Sequence, residues 1–453
     1  MAQSIKIRRG LNIRLKGEAE RVLATPDMPE IFAIKPPDFH GLVPKMVVKE
    51  GEKVKAGTII FYDKYNEHVK FASPVSGEIA EIVRGAKRRI MEVRILADSK
   101  VEYENLGSFD PSNASREDVV KKMLEFGLWP SIKQRPFDVV ADPADKPRDI
   151  YISAFDSAPL APDYDFVLHQ RDAEFQAGIN AIAKLTNGKV YLGTKAGNTH
   201  DKAISNVKGV EAISVSGPHP AGNPGVQIHH TKPLNKGEVV WVINPQDVAM
   251  IGKAFSEGKY DATRVVALTG SEVKNARYHK MIIGSSIKKI VADNVTDGKV
   301  RYISGNPLTG STIDADGFLG YYDHQVTLLP EGDEPQFFLT KGWLGPGLDK
   351  FSASRAFPTW LFGGKKYRLN TNNNGEERAF VVTGQYEKVF PFDIYPVYLI
   401  NSIITNDIER MENLGIYEVA PEDFALCEYV CTSKTNVQEL VREGLDVIKR
   451  ECT

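Results

Sequence analysis

Four groups of residues in this chain are of the right type to do chemistry. Lys64 lies in the turn-like stretch Asp63-Lys64-Tyr65-Asn66-Glu67. An exposed amine at such a hairpin tip can be acylated by a biotinyl or lipoyl group. The strand before Lys64 reads short and the segment after it long for a symmetric hairpin, and no Met-Lys-Met biotin signature is present. A solvated loop lysine is the competing reading. His219, His229 and His230 fall within SGPHPAGNPGVQIHH, and three imidazoles can bind zinc. Their spacing is irregular and no carboxylate or thiol lies close in sequence, so a structural loop rich in Gly and Pro is favoured. Cys427 and Cys431 stand four residues apart, on one helical face. Cys452 adds a third thiol, too few for a four-cysteine iron–sulfur cluster, and packed core thiols are expected. The loops Gly193-Thr194-Lys195-Ala196-Gly197 and Gly217-Pro218-His219-Pro220-Ala221-Gly222 follow strands. Both can turn backbone N–H groups toward an anion, but neither has the glycine spacing of a dinucleotide fold. With no G-x-S-x-G, P-loop, H-E-x-x-H or convincing carboxylate pair, the sequence assigns no catalytic residue, no metal ligand and no cofactor-binding residue.

The elements that hold these groups fall into four regions. Residues 1–110 are β-rich. Val48, Gly51, Val54 and Gly57 precede Thr58-Ile59-Ile60-Phe61, and Val69 and Phe71 lead into Ser73-Pro74-Val75-Ser76-Gly77. Alternating apolar residues with Gly at the corners predict short, tightly turned strands, an arrangement similar to the barrel-sandwich hybrid of biotinyl and lipoyl carriers. Arg84-Gly85-Ala86-Lys87-Arg88-Arg89 is a hairpin tip between Ile79–Val83 and Ile90–Ile95; its cations suit an acidic partner or anionic lipid, though a solvated tip is favoured. Residues 111–270 read as a Rossmann-like α/β layer with a largely parallel sheet. A capping box of Ser115 and Asp118 opens a helix ended by Gly127. Strands are expected at Ile150–Ile152, Val190–Leu192, Ala212–Val215 and Val239–Ile243, with Val265–Leu268 closing the unit. A helix spans Asp172–Leu185, and Asn244-Pro245 caps another. Residues 271–330 suggest a small β-grasp-like module with strands at Met281–Ile283, Val300–Ser304 and Gln325–Leu329. Residues 331–453 form an irregular arm, with Trp343 and a polar loop at Asn370–Gly375, followed by helices at Tyr395–Ile404, Asp407–Leu414, Pro421–Val430 and Asn436–Lys449. The arm around Trp343 and the aromatic segment Val389–Leu399, with Phe392, are candidate docking surfaces.

Composition narrows the function. The chain has 453 residues, which suggests two to four domains. With 57 basic and 59 acidic residues the net charge is −2, so no global field favours nucleic acid. The N-terminus carries charges throughout and reads as no signal peptide. No stretch approaches the ~18 apolar residues of a membrane span. Three cysteines fit a reducing cytoplasm.

Several blocks occur together in a fixed order: IKIRRGLNI at Ile5–Ile13, Phe39–Glu50 before EGEKVKAG, FASPVSGEI, GPHPAGNPG, RYISGNPLTG, GWLGPGLDKFSASR and FPFDIYPVYLI…EDFALCEYVC. In them the chain resembles the NqrA family, the A-type component of the Na⁺-translocating NADH:quinone reductase, which is similar to the C-type component of the RNF electron-transport complex. The resemblance covers nearly the whole chain. It implies a barrel-sandwich hybrid, a Rossmann-like layer, an SLBB-type β-grasp module and a helical end. It also implies a hydrophilic peripheral subunit on the cytoplasmic face of the bacterial inner membrane, holding no redox cofactor. NADH, flavins and iron–sulfur clusters would belong to partner subunits, and a quinone contact is allowed. Gln227 stands where relatives usually have His, and Cys431-Thr432 replaces a Cys-Pro. The alternative is a carrier protein modified on Lys64; a third reading, a free-standing flavin- or NADH-dependent oxidoreductase, lacks the required fingerprints.

Overall fold

A computed structural model describes residues 3–334, 337, 339, 342 and 344–452. Its centre is a seven-stranded sheet. Ile150–Ser153, Val190–Lys195 and Glu211–Ser216 run parallel, and Gln3–Lys6 adds a parallel strand at one edge. On the other side Val240–Ile243 lies parallel to Ile150–Ser153, followed by antiparallel Ile132–Arg135 and Val139–Val140. Successive side chains of a strand enter opposite layers. Accordingly Ile150 and Ile152 pack into one core with Phe175, Ile179, Val248 and Ile251. Tyr151, with Ile213 and Val215, packs into a second core with Phe390, Leu399, Phe424 and Leu445.

The first layer is built on two close-packed helices, Asp172–Ile182 and Pro245–Glu257. A Cβ at Gly178 would fall 1.9 Å from the Val248 carbonyl oxygen, and one at Gly252 1.9 Å from that of Glu174. The two glycines therefore set how closely the helix backbones approach. The expected caps form: Ser115 and Asp118 make a reciprocal capping box, and the Asn244 side chain accepts the Gln246 N–H with Pro245 at the first helical position.

Residues 31–97 fold as two small facing sheets, a barrel-sandwich hybrid. One holds Ile31–Ile34, Ile90–Ala97, Gly77–Arg84 and Lys53–Val54; the other holds Pro44–Met46, Ile59–Asp63 and Asn66–Ala72. A six-stranded sheet contains Ser311–Ile313, Val300–Ser304, Gln325–Pro330, Thr263–Thr269, Arg277–Ile282 and Glu20–Ala24. Here the structure corrects the sequence reading. Val265–Leu268 does not close the α/β unit but lies inside this sheet, antiparallel to Arg277–Ile282 and parallel to Gln325–Pro330. A strand apolar on both faces carries no mark of which sheet it joins. The two N-terminal strands depart from their neighbours in the same way, Gln3–Lys6 to the α/β sheet and Glu20–Ala24 to the six-stranded one.

The C-terminal region covers the second face of the central sheet with Pro396–Ile404, Ile408–Asn413, Ala425–Val430 and Val437–Cys452. Val437, Val441, Leu445 and Ile448 of the last helix are buried. A further helix, Pro224–Thr231, occupies the stretch expected to be a Gly- and Pro-rich loop.

Candidate functional site

Open α/β sheets take ligands beyond the carboxyl ends of their strands, where strand order reverses. In this sheet that crevice lies between Ile150–Ser153 and Val240–Ile243, and the chain fills it with its own side chains. The Tyr164 hydroxyl accepts the Asn244 amide at 2.6 Å. The Asp156 carboxylate accepts the Ala158 N–H at 2.9 Å, and burial holds it above the usual carboxylate range. Of the two expected loops, Gly193–Lys195 still belongs to the strand Val190–Lys195, with Lys195 and Gly197 exposed beyond it, whereas Gly217–Gly222 is turned inward. A Cβ at Gly193 would lie 1.9 Å from Gln227 Oε1. The Gln227 amide donates to Ser153 Oγ at 2.7 Å, and that hydroxyl donates to the Gly222 carbonyl at 2.8 Å. The Gly222 N–H donates to Ser157 Oγ at 2.8 Å, and Ser157 Oγ meets His219 Nδ1 at 3.0 Å. Burial pushes the His219 imidazole down to about 4. The loop hydrogen bonds are thus made to protein groups. Gln227 sits at the centre of this arrangement, fully buried.

The three histidines are directed at different partners. His229 accepts the Asp393 N–H through Nε2 at 3.0 Å, so Nδ1 carries the proton that it donates to Glu418 at 2.8 Å. His230 Nδ1 bonds the Val226 carbonyl at 2.9 Å, and His219 faces Ser157. Among the described residues no group of three or more His, Cys, Asp or Glu is placed to hold a metal ion. Cys427 and Cys431 are free and buried in the helical core, where burial pushes the Cys427 thiol well up. Cys427 is helical, whereas Cys431 already lies in extended backbone at the helix end.

Lys64 is exposed at the tip of a hairpin tighter than the sequence suggested. Asp63 pairs with Asn66, leaving Lys64-Tyr65 as a two-residue turn. The Lys64 N–H donates to the Val43 carbonyl at 2.8 Å and its ammonium lies 5.8 Å from the Tyr65 ring centroid. The basic tip at Arg84–Arg89 is solvent-exposed throughout.

Of the two docking candidates, the segment Val389–Leu399 is corrected at Phe392 and not throughout, and Trp343 of the other lies outside the described residues. Phe392 is 1% exposed, stacked on Phe390 at 4.7 Å and packed on His229 at 5.0 Å. It is core, because the sheet face beneath it needs cover. What the segment after Phe392 does present is Tyr395 and Tyr398, 69% and 57% exposed, with rings 6.0 Å apart. Tyr395 stands at the N-cap and Tyr398 on the outer side of Pro396–Ile404, whose Val397, Leu399, Ile400 and Ile403 are buried.

Two further features were missed. The first is a cleft of about 230 Å³ where the linker Thr25–Pro29 crosses the six-stranded sheet. Phe32, Met281, Ile282 and Ile290 supply apolar wall, and Lys280 and Lys289 line it as well. Its residues come from three distant segments, so no local motif marks it. The second is Trp360-Leu361-Phe362 in the arm, all more than half exposed; three large apolar residues before Gly-Gly-Lys-Lys were the available signal.

The architecture matches known families in order along the chain. The NqrA N-terminal barrel-sandwich hybrid domain matches residues 5–98, the NqrA second alpha/beta domain residues 114–260, and the NQRA C-terminal domain, of SLBB type, residues 265–315. Proteins named as the A-type component of Na(+)-translocating NADH-quinone reductase are similar over the full length. That of Neisseria meningitidis is 35% identical over 450 residues, covering 99% of this chain and 100% of the relative. Those of Vibrio atlanticus and Pseudomonas aeruginosa are each 36% identical with the same coverage. A solved chain of an NAD⁺-reducing nickel–iron hydrogenase aligns over 68% of this chain and 55% of its own, at a TM-score of 0.35 and 11% identity, too loose to bear on fold or function.

Proposed function

The chain belongs to the NqrA family of Na⁺-translocating NADH-quinone reductase subunits, and on that premise we propose that it is the peripheral, cytoplasmic-side member of a complex coupling NADH oxidation and quinone reduction to Na⁺ export. In this reading it holds no flavin or iron–sulfur cluster, and the chemistry belongs to partner subunits. Among the described residues no helix is long and apolar enough to cross a membrane, which supports attachment through surfaces. The observation that carries the reading is the outward pair Tyr395 and Tyr398, at the N-cap and in the first turn of a helix whose other face is packed. Tyrosines with an apolar ring and a polar tip are typical of protein interfaces.

The test is to recover the tagged chain from gently solubilised native membranes. Flavoprotein membrane subunits and Na⁺-stimulated NADH:quinone activity are expected in the eluate, and Y395A/Y398A should recover less of both. Recovery of the chain alone, colourless and with an added mass on Lys64, would overturn the reading in favour of a biotinyl- or lipoyl-type carrier.

A second reading concerns the quinone. The cleft between Thr25 and Ile290 is apolar along Phe32, Met281 and Ile282, which suits a quinone ring. Lys280 and Lys289 suit its carbonyl oxygens as hydrogen-bond donors. A photoreactive quinone should label this cleft in the intact complex, and K280A/K289A should reduce labelling; labelling confined to other subunits would remove the proposal.

A further inference from the structure

The irregular arm has an exposed tip on a firmly held base. Tyr367 is buried; its N–H donates to the Arg14 carbonyl and its own carbonyl accepts the Lys16 N–H, at 2.8 and 2.9 Å. The Tyr367 hydroxyl donates to the Thr359 carbonyl at 3.2 Å, and the Thr359 hydroxyl to that of Lys350 at 2.7 Å. From this base Trp360, Leu361 and Phe362 stand 51%, 64% and 53% exposed. Among the described residues a Cβ on Gly363 or Gly364 would meet nothing within 4 Å, so the backbone that follows the three apolar residues is open on that side.

Cations frame this tip. From Leu344 to Leu369 the charged residues are Lys350, Arg355, Lys365, Lys366 and Arg368 against Asp349 alone, five to one on a chain of net charge −2. The Arg355 guanidinium lies 5.4 Å from the Trp360 ring centroid, and the Lys365 ammonium donates to the Leu348 carbonyl. Leu348 is itself more than half exposed. Lys366 and Arg368 pair with Glu18 and Glu272; Arg355 and Lys365 have no carboxylate partner among the described residues.

We propose that Trp360, Leu361 and Phe362 insert into the interface of an anionic lipid bilayer, with Arg355 and Lys365 meeting the headgroup phosphates. A Trp and two bulky apolar side chains on a narrow tip suit the boundary between headgroups and acyl chains. The lysine and arginine stems lie along apolar surface while their charges reach the lipid phosphates. A deep protein pocket lined with acid would be needed to receive the same tip; a bilayer supplies soft apolar volume and negative charge together. The proposal deepens the peripheral placement put forward above, but its test uses the purified full chain. Its failure therefore leaves membership of the complex, read by co-purification, standing.

The chain is mixed with vesicles of phosphatidylglycerol and phosphatidylethanolamine, and separately with vesicles of phosphatidylcholine. Sedimentation with the anionic vesicles, weakened by salt, is expected, together with a blue shift of tryptophan emission that W360F loses. Replacing the three side chains in W360S/L361S/F362S should weaken vesicle binding about ten-fold or more. Absence of binding to the anionic vesicles overturns the proposal. So does equal binding by the triple variant. A triple variant that binds vesicles normally but fails to co-purify with the membrane subunits would show the tip to be a protein contact, and overturns it as well.

Discussion

Two aromatic segments, thirty residues apart, have opposite fates. Phe390 and Phe392 are buried between His229 and Phe424, while Trp360 and Phe362 stand in solvent. Both runs are rich in aromatic residues and broken by Pro or Gly. The difference lies in what faces them. The first run covers the apolar side of Glu211–Ser216 and Val240–Ile243, a sheet face that would otherwise be wet. The second is attached through Thr359 and Tyr367 and is left more than half exposed. Burial therefore follows from the presence of a complementary surface; the local sequence specifies only the supply of apolar side chains.

The sharpest way to break that contrast is Phe392→Ala. If Phe392 is core, chemical unfolding should show a loss of about 3–5 kcal/mol; a loss below about 1 kcal/mol would return Phe392 to the surface. The buried side also makes a pH prediction. Burial pushes His219 down to about 4, so it is neutral in the fold. Its stabilising contribution is present above its unfolded value of about 6.5 and is lost as the pH falls toward 4. Asp38 and Asp247, pushed up to about 6 by burial, act in the opposite direction by taking up protons in the fold. The His219 part is isolated by comparison: between about pH 7 and pH 4 the parent should lose up to about 3 kcal/mol more than His219→Gln. Parallel losses in the two proteins would mean that His219 protonates freely. The smallest effect belongs to the exposed run. W360S/L361S/F362S should change stability by less than about 0.5 kcal/mol, even as it loses vesicle binding, and a larger loss would mean that the tip is packed.

Much of the fold could be read locally. Ser115 with Asp118, and Asn244 with Pro245, mark helix starts through bonds that span three residues or fewer, so the sequence contains the whole interaction. Alternation likewise marked the hairpin Gly77–Arg84 with Ile90–Ala97. The helix Pro224–Thr231 has the same Asn-Pro start as Asn244-Pro245, but Gly225 and the Gly- and Pro-rich stretch before it hid that signal, and Asn223 makes no side-chain cap bond; the helix forms because Val226, Gln227 and Ile228 are buried. Gly225 is needed there, since a Cβ would lie 2.7 Å from the Arg135 guanidinium and the Asp423 carboxylate, two groups 288 positions apart in the chain. The cleft by Lys280 and Lys289 was equally out of reach, being assembled from a linker, a strand and a loop.

By itself, then, the sequence determined the order of the modules, the family, and most helix and strand identities, because each rests on periodicity, caps or motif blocks within a few residues. Only the tertiary structure decided which sheet Thr263–Thr269 and the two N-terminal strands join, that Phe392 lies inside and Trp360 outside, and that the loop after Glu211–Ser216 bonds through Gly222 to Ser153 and Ser157. Those outcomes depend on contacts between segments far apart in the chain, and no local pattern encodes the partner.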